Sequence, residues 1–68
     1  MRKVAVHRLW DGDNALDMAV IEIVDGYVRT WYAFEGEIAM TEWLGGEAWL
    51  QRNENGKIQL LINNKILC

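Results

Sequence analysis

The chain has 68 residues, a net charge of −3, one histidine and one cysteine, Cys68. These counts exclude an internal disulfide and a zinc site built from Cys and His ligands of this chain alone. The acidic charge argues against a duplex-binding protein, because Lys and Arg supply most of the affinity for phosphates. No apolar stretch approaches the roughly 18 residues of a membrane-spanning helix. We therefore expect one cytoplasmic domain over residues 1–68, without a membrane segment or a cofactor.

The first strand is predicted over residues 4–10, where Val4, Val6 and Arg8 alternate with Ala5, His7 and Leu9. Residues 11–14, Asp-Gly-Asp-Asn, are typical of a turn, because each of these residue types bonds its own backbone or tolerates positive φ. The second strand is predicted over residues 16–24 and the third over residues 27–34.

Asp25-Gly26 joins the second and third strands and predicts a tight type I′ hairpin turn. Counting outward from this turn places Val20 opposite Trp31 and Ala19 opposite Tyr32. Both faces of the hairpin are then apolar, whereas a sheet with one solvated face shows a cleaner alternation. We therefore expect the second face to be covered, either by another part of the chain or by another copy.

Residues 35–37, Glu-Gly-Glu, interrupt the pattern, and Thr41-Glu42-Trp43-Leu44-Gly45-Gly46 follows. A capping threonine, a short apolar run and two glycines predict a single helical or 3₁₀ turn near residues 41–45.

The last third of the chain predicts a second hairpin around Asn53-Glu54-Asn55-Gly56. A two-residue Asn55-Gly56 turn would place Gln51 opposite Leu60. A type I turn with Gly56 as a left-handed bulge residue instead matches like residues with like, and we prefer it. Its pairs are Ala48 with Ile62, Trp49 with Leu61, Leu50 with Leu60 and Gln51 with Gln59. Asn63-Asn64 then turns the chain into a short final strand at residues 65–67.

The fold class that follows is all-β, a small antiparallel barrel or roll of five or six strands with an OB-like or SH3-like order. The segments Asp25-Gly26-Tyr27-Val28 and Thr41-Glu42-Trp43-Leu44-Gly45-Gly46, with Tyr32, Phe34 and Glu37, resemble short uncharacterised bacterial proteins that carry a similar acidic hairpin and corner. The resemblance covers about a third of the chain, and it implies a bacterial β-domain without implying an activity.

Candidate catalytic residues are few, and we expect no enzyme. The chain has no serine, and neither His7 nor Cys68 has a partner that the sequence can assign. The carboxylates Glu35, Glu37, Glu42 and Glu47 predict a solvated acidic rim, because glycoside hydrolysis also needs a groove and an acid with a raised pKa. A small hydrolase is therefore a distant third hypothesis.

Charge is segregated along the chain. Residues 1–10 carry three cations and no acid, residues 11–47 carry nine acids against Arg29, and residues 48–68 carry three cations against Glu54. The simpler interpretation places the basic terminal strands beside the acidic middle within one chain. A head-to-tail contact between chains is the alternative.

The leading functional hypothesis is a non-enzymatic interaction module that forms a homo-oligomer through an aromatic sheet face. Tryptophan is enriched at interfaces because it combines a large buried area with one polar atom. Single-stranded nucleic-acid binding by an OB-like barrel is the alternative, but it is disfavoured because Arg29 is the only cation near the aromatic residues of the hairpin. The residues predicted to form the interface are Trp31, Val20, Met18, Tyr27 and Trp49.

Overall fold

A computed structural model describes residues 1–34 and 41–67 of the chain. This part contains strands and turns, and it includes no helix that is long and apolar enough to cross a membrane. The strands are β1 (Arg2–Asp11), β2 (Asn14–Val24), β3 (Tyr27–Ala33), β4 (Glu42–Trp43), β5 (Glu47–Arg52), β6 (Ile58–Ile62) and β7 (Lys65–Ile66).

All seven strands belong to one sheet, in the order β3-β2-β1-β5-β6-β7, with β4 also paired to β1. The central strand β1 is antiparallel to β2 on one side and parallel to β4 and β5 on the other. The sheet curves so that β3 approaches β6. Within the described residues no strand pairing closes the sheet, so the all-β prediction is confirmed and the predicted barrel is not. The prediction of five or six strands, all antiparallel, is wrong, because there are seven strands in the described part and β1 is parallel to β4 and β5.

The helical turn predicted near residues 41–45 is wrong, because this segment is a strand followed by a bulge. The backbone N–H groups of Leu44 and Gly45 donate to the carbonyl of Ala5, at 2.9 and 3.3 Å. The carbonyl of Gly46 accepts from the N–H groups of His7 and Arg8, at 3.0 and 3.1 Å. Gly45 and Gly46 both have positive φ. This backbone conformation interrupts the chain between β4 and β5, so that both strands can pair with β1.

The hydrophobic core lies on one face of the sheet, which we call the inner face. Its buried members are Val4, Val6, Leu9, Ala19, Ile21, Ile23, Val28, Ala48 and Leu60. Leu16, Trp31, Leu50, Ile58, Ile62 and Leu67 are half-buried and pack against this cluster. The opposite face is called the outer face.

The turn predictions are confirmed. Asp25 and Gly26 have φ of 53° and 83°, and Asn63 and Asn64 have φ of 54° and 63°, as a two-residue type I′ turn requires. In the second hairpin Gly56 has a φ of 77°. The pairs there are Trp49 with Leu61, Leu50 with Leu60, and Gln51 with Gln59, which is the preferred register.

The predicted register of the first hairpin is right only next to its turn. Ile23 faces Val28, but the next pair is Glu22 with Thr30, so Arg29 is an extra residue in β3. This β-bulge moves every later residue of β3 by one position. Trp31 consequently faces Ile21 on the inner face, and Tyr32 takes the predicted place of Trp31 beside Val20.

A second irregularity reverses the faces of β1 and β2. Val4 and Val6 are buried, His7 and Arg8 are both exposed, and Leu9 is buried again. Met18, across from this point in β2, has a φ of 55°, a conformation that costs non-glycine residues energy. Simple alternation along residues 4–10 therefore predicts the wrong face for Leu9.

The ion pairs follow the intramolecular interpretation of the charge pattern. Each of the four pairs between described residues joins a basic terminal segment to the acidic middle: Arg2 with Glu42, Arg8 with Asp17 and with Glu47, and Arg52 with Asp11. The predicted cross-strand neutralisation is confirmed for these residues.

Candidate interaction surface

Two rows of apolar side chains cross the outer face, because residues paired between adjacent strands point to the same side of a sheet. The first, the covered row, runs from β3 to β4 through Tyr32, Val20, Ala5 and Trp43. Val20 is 0% exposed and Ala5 1%, although neither belongs to the core cluster of the inner face. The middle of this row is thus sealed from solvent.

The second, the open row, runs from β1 to β7 through Trp10, Trp49, Leu61 and Ile66. Trp49 is 40% exposed and Ile66 50% exposed, and Trp10 and Leu61 are half-buried. Four neighbouring strands therefore present one contiguous line of apolar side chains to solvent, which is unlike the single exposed apolar residues of ordinary surfaces.

The open row is bordered by charges on one side and by amides on the other. Arg8 lies two residues before Trp10 and bonds Asp17 through its Nε at 3.0 Å, and its guanidinium lies 5.9 Å from the Trp10 ring centroid. Gln51 and Gln59, paired with each other, form the next outer-face position beyond Trp49 and Leu61. The polar borders define where the apolar surface begins and ends.

Trp10 also carries an unusual polar atom. Its Nε1 is buried and donates no hydrogen bond to any part of the chain that the structure describes. A buried donor without an acceptor destabilises the position by about 1–3 kcal/mol. Trp10 is therefore held by the packing of its ring rather than by a polar contact.

The structure separates the five residues predicted to form the interface. Trp49 lies in the open row and Val20 is sealed within the covered row. Trp31 packs against the inner core, and Tyr27 lines a cleft between two hairpin turns. Met18 is half-buried at the face reversal. The set does not form one surface, and the unpredicted Arg29 bulge accounts for Trp31, whose predicted place beside Val20 is taken by Tyr32.

The aromatic residues considered for base stacking are also separated. Trp31 lies on the inner face, Tyr32 on the outer face and Tyr27 at the cleft. The phenol of Tyr32 donates to Glu22 Oε2 at 2.9 Å, and this hydrogen bond raises the pKa of Tyr32 above its ordinary value.

His7 has a partner that the sequence did not reveal. Its Nδ1 accepts from the backbone N–H of Gly46 at 3.0 Å, and its ring meets Trp43 edge-on, with centroids 4.7 Å apart. The histidine therefore holds the Gly45–Gly46 bulge against β1.

Of the acidic rim, Glu42 and Glu47 pair with Arg2 and Arg8. Glu35 and Glu37 lie outside the described residues, as does Cys68. Among the residues that the structure describes, no group of three or more His, Cys, Asp or Glu side chains could hold a metal ion.

Comparison of the chain with protein-family models, with curated protein sequences and with solved structures found no match.

Proposed function

We propose that the protein is a non-enzymatic interaction module that associates with a second copy of itself through the open row. The observation that carries this proposal is the contiguous exposure of Trp49 and Ile66 beside Trp10 and Leu61. Tryptophan dominates the binding energy of many interfaces because one side chain removes a large apolar area from water.

The size of the chain favours a partner. A domain of about 60 residues buries a smaller share of its apolar surface than a larger domain, so its stability is small and self-association is one of the usual compensations.

The borders of the open row favour a second copy. In a symmetric dimer the same patch meets itself across a two-fold axis. With that axis along the row, each tryptophan meets its own copy, and the charged border of one chain lies over Gln51 and Gln59 of the other. No carboxylate then faces its own copy, which avoids the like-charge contacts that destabilise interfaces.

Light scattering over about a hundredfold range of concentration tests the proposal with the variants Trp49→Glu and Trp43→Glu. Both tryptophans are exposed on the outer face, but only Trp49 lies in the open row. We expect wild type and Trp43→Glu to dimerise, and Trp49→Glu to weaken dimerisation at least tenfold, because it places a charge at the centre of the contact.

A wild-type protein that stays monomeric across the range overturns the proposal. So does a Trp49→Glu protein that dimerises as wild type does. Dissociation by Trp43→Glu alone moves the contact to the covered row and contradicts the assignment. Unfolding curves of both variants at low concentration confirm that the compared proteins are folded.

A further inference from the structure

A cleft of about 380 Å³ opens between the turn of the first hairpin and the turn of the second. We call it the turn cleft. Its volume lies in the range of small-molecule sites. It shares no residue with the open row, which lies on the outer face. The residues that line it are Val24, Asp25, Tyr27, Val28, Arg29, Gly56, Lys57 and Ile58.

The two cations of the turn cleft have no acidic partner among the residues that the structure describes. Neither Arg29 nor Lys57 forms an ion pair with another described residue, whereas Arg2, Arg8 and Arg52 all do. Asp25 is the one acid in the lining, so the charge of the cleft is positive in a chain of net charge −3. Such a local reversal of sign attracts anions.

Each cation is brought to the turn cleft by a separate local irregularity. Arg29 is the extra residue of the β3 bulge, and bulges of this kind redirect a side chain from the regular alternation. Lys57 follows the left-handed Gly56, and its backbone N–H donates to Asn53 Oδ1 at 3.0 Å. Its ammonium lies 5.9 Å from the Tyr27 ring centroid, a contact that orders the charge without neutralising it.

The remainder of the lining is apolar. Val28 is buried, Val24 and Ile58 are half-buried, and all three contribute to the wall of the cleft. An apolar wall beside two cations suits a molecule with an apolar body and an anionic group. Inorganic anions alone would leave that wall in contact with water.

We propose that the turn cleft binds a small organic anion, with its carboxylate or phosphate group at Arg29 and Lys57 and its planar or aliphatic body against Val24, Val28 and Ile58. The site needs one copy of the chain and no cofactor. This site gives a binding role to the Arg29 bulge, which the hairpin pattern alone does not predict.

Titration of the ¹⁵N-labelled protein with phenyl phosphate tests this proposal, because the amides of Gly26 and Gly56 report from the two turns of the cleft. We expect saturable shifts at both glycines, with weaker binding of inorganic phosphate, which lacks the apolar body. Benzylamine, which keeps the ring and reverses the charge, should cause no shift. Absence of saturable shifts with phenyl phosphate up to about 10 mM, the weakest range of specific ligand binding, overturns the proposal.

Three glutamine variants locate the anionic group. Lys57→Gln and Arg29→Gln should each raise the dissociation constant about fivefold, as the loss of a partly exposed charge contact predicts. Lys65→Gln removes an exposed charge outside the cleft and should leave the constant unchanged. Equal effects of all three variants would mean unspecific attraction and would contradict the site, as would equal affinities for phenyl phosphate and inorganic phosphate.

Discussion

The covered row and the open row lie on the same face of the same sheet, yet solvent reaches them differently. In the covered row the two middle residues are small, Ala5 and Val20, and both are buried, whereas Tyr32 and Trp43 at its ends are exposed. In the open row Trp49 and the terminal Ile66 are exposed, and Trp10 and Leu61 are half-buried. Apolar content alone therefore does not decide exposure, because the middle of the covered row is buried whereas every member of the open row keeps some contact with solvent.

The largest expected contrast is between the two tryptophans predicted to form the interface. Trp31→Ala should lower the free energy of unfolding by about 3 kcal/mol, because its ring packs against the inner core. Trp49→Ala should lower it by less than about 1 kcal/mol in the monomer, since Trp49 is 40% exposed. Urea unfolding at low protein concentration measures both. Equal losses would remove the distinction between core and surface tryptophan.

Aliphatic truncations compare the two rows directly. Val20→Ala removes two carbons from a fully sealed position and should cost about 2 kcal/mol. Ile66→Ala removes three carbons from a position that is 50% exposed and should cost less than about 0.5 kcal/mol. The smaller deletion therefore has the larger effect in chemical unfolding. The reverse order would show that the covered row is open in solution.

Deletion of Arg29 tests the register that places Tyr32 in the covered row. Without this residue Val28 is followed by Thr30, and the pairs Ile23 with Val28 and Glu22 with Thr30 form a regular hairpin. We expect the fold to persist, with a stability change of less than about 1 kcal/mol, because no other pair changes.

Deletion of Ala5 is the control for the bulge. Ala5 lies in the central strand β1, which is paired on both sides and has no extra residue at that point. Its deletion would move every later residue of β1 to the opposite face of the sheet. Circular dichroism and thermal unfolding should show loss of the folded state. Unfolding caused by the Arg29 deletion would instead show that the bulge itself is required.

The smallest expected effect concerns the ion pair beside the covered row. The Nε and Nη2 of Arg2 donate to the two carboxylate oxygens of Glu42 at 3.0 and 2.9 Å, and these hydrogen bonds hold the pKa of Glu42 below its ordinary value. The stabilisation is therefore present above the pKa that Glu42 has in the unfolded chain, and it is lost as the pH falls through the lower folded value.

Glu42→Gln should remove this part of the acid dependence. We expect the difference in melting temperature between wild type and variant to shrink as the pH is lowered from about 6 to about 3, across the ordinary titration range of glutamate. Both groups are exposed, so the difference is small even at neutral pH. A difference in melting temperature that grows as the pH falls would contradict the lowered pKa of Glu42.

Local chemistry made a large part of the fold predictable. Asp25-Gly26 and Asn63-Asn64 specify turns through positive φ, and the preferred register around Gly56 followed from matching like residues. Trp49 was also recognisable as a candidate contact residue. The open row as a whole was not, because Trp10 joins Trp49 and Leu61 only through the pairing of β1 with β5, two strands that are distant in the chain.

The amino-acid sequence by itself determined the all-β class and the turns of the hairpins, because each depends on residues close in the chain. The tertiary structure decided which face each side chain occupies. The Arg29 bulge, the reversal at Met18 and the Gly45–Gly46 break each follow from pairing with a neighbouring strand. A shift of one residue exchanges the two faces of a strand. The register of pairing between strands therefore decides which apolar residues enter the buried core and which form the exposed row.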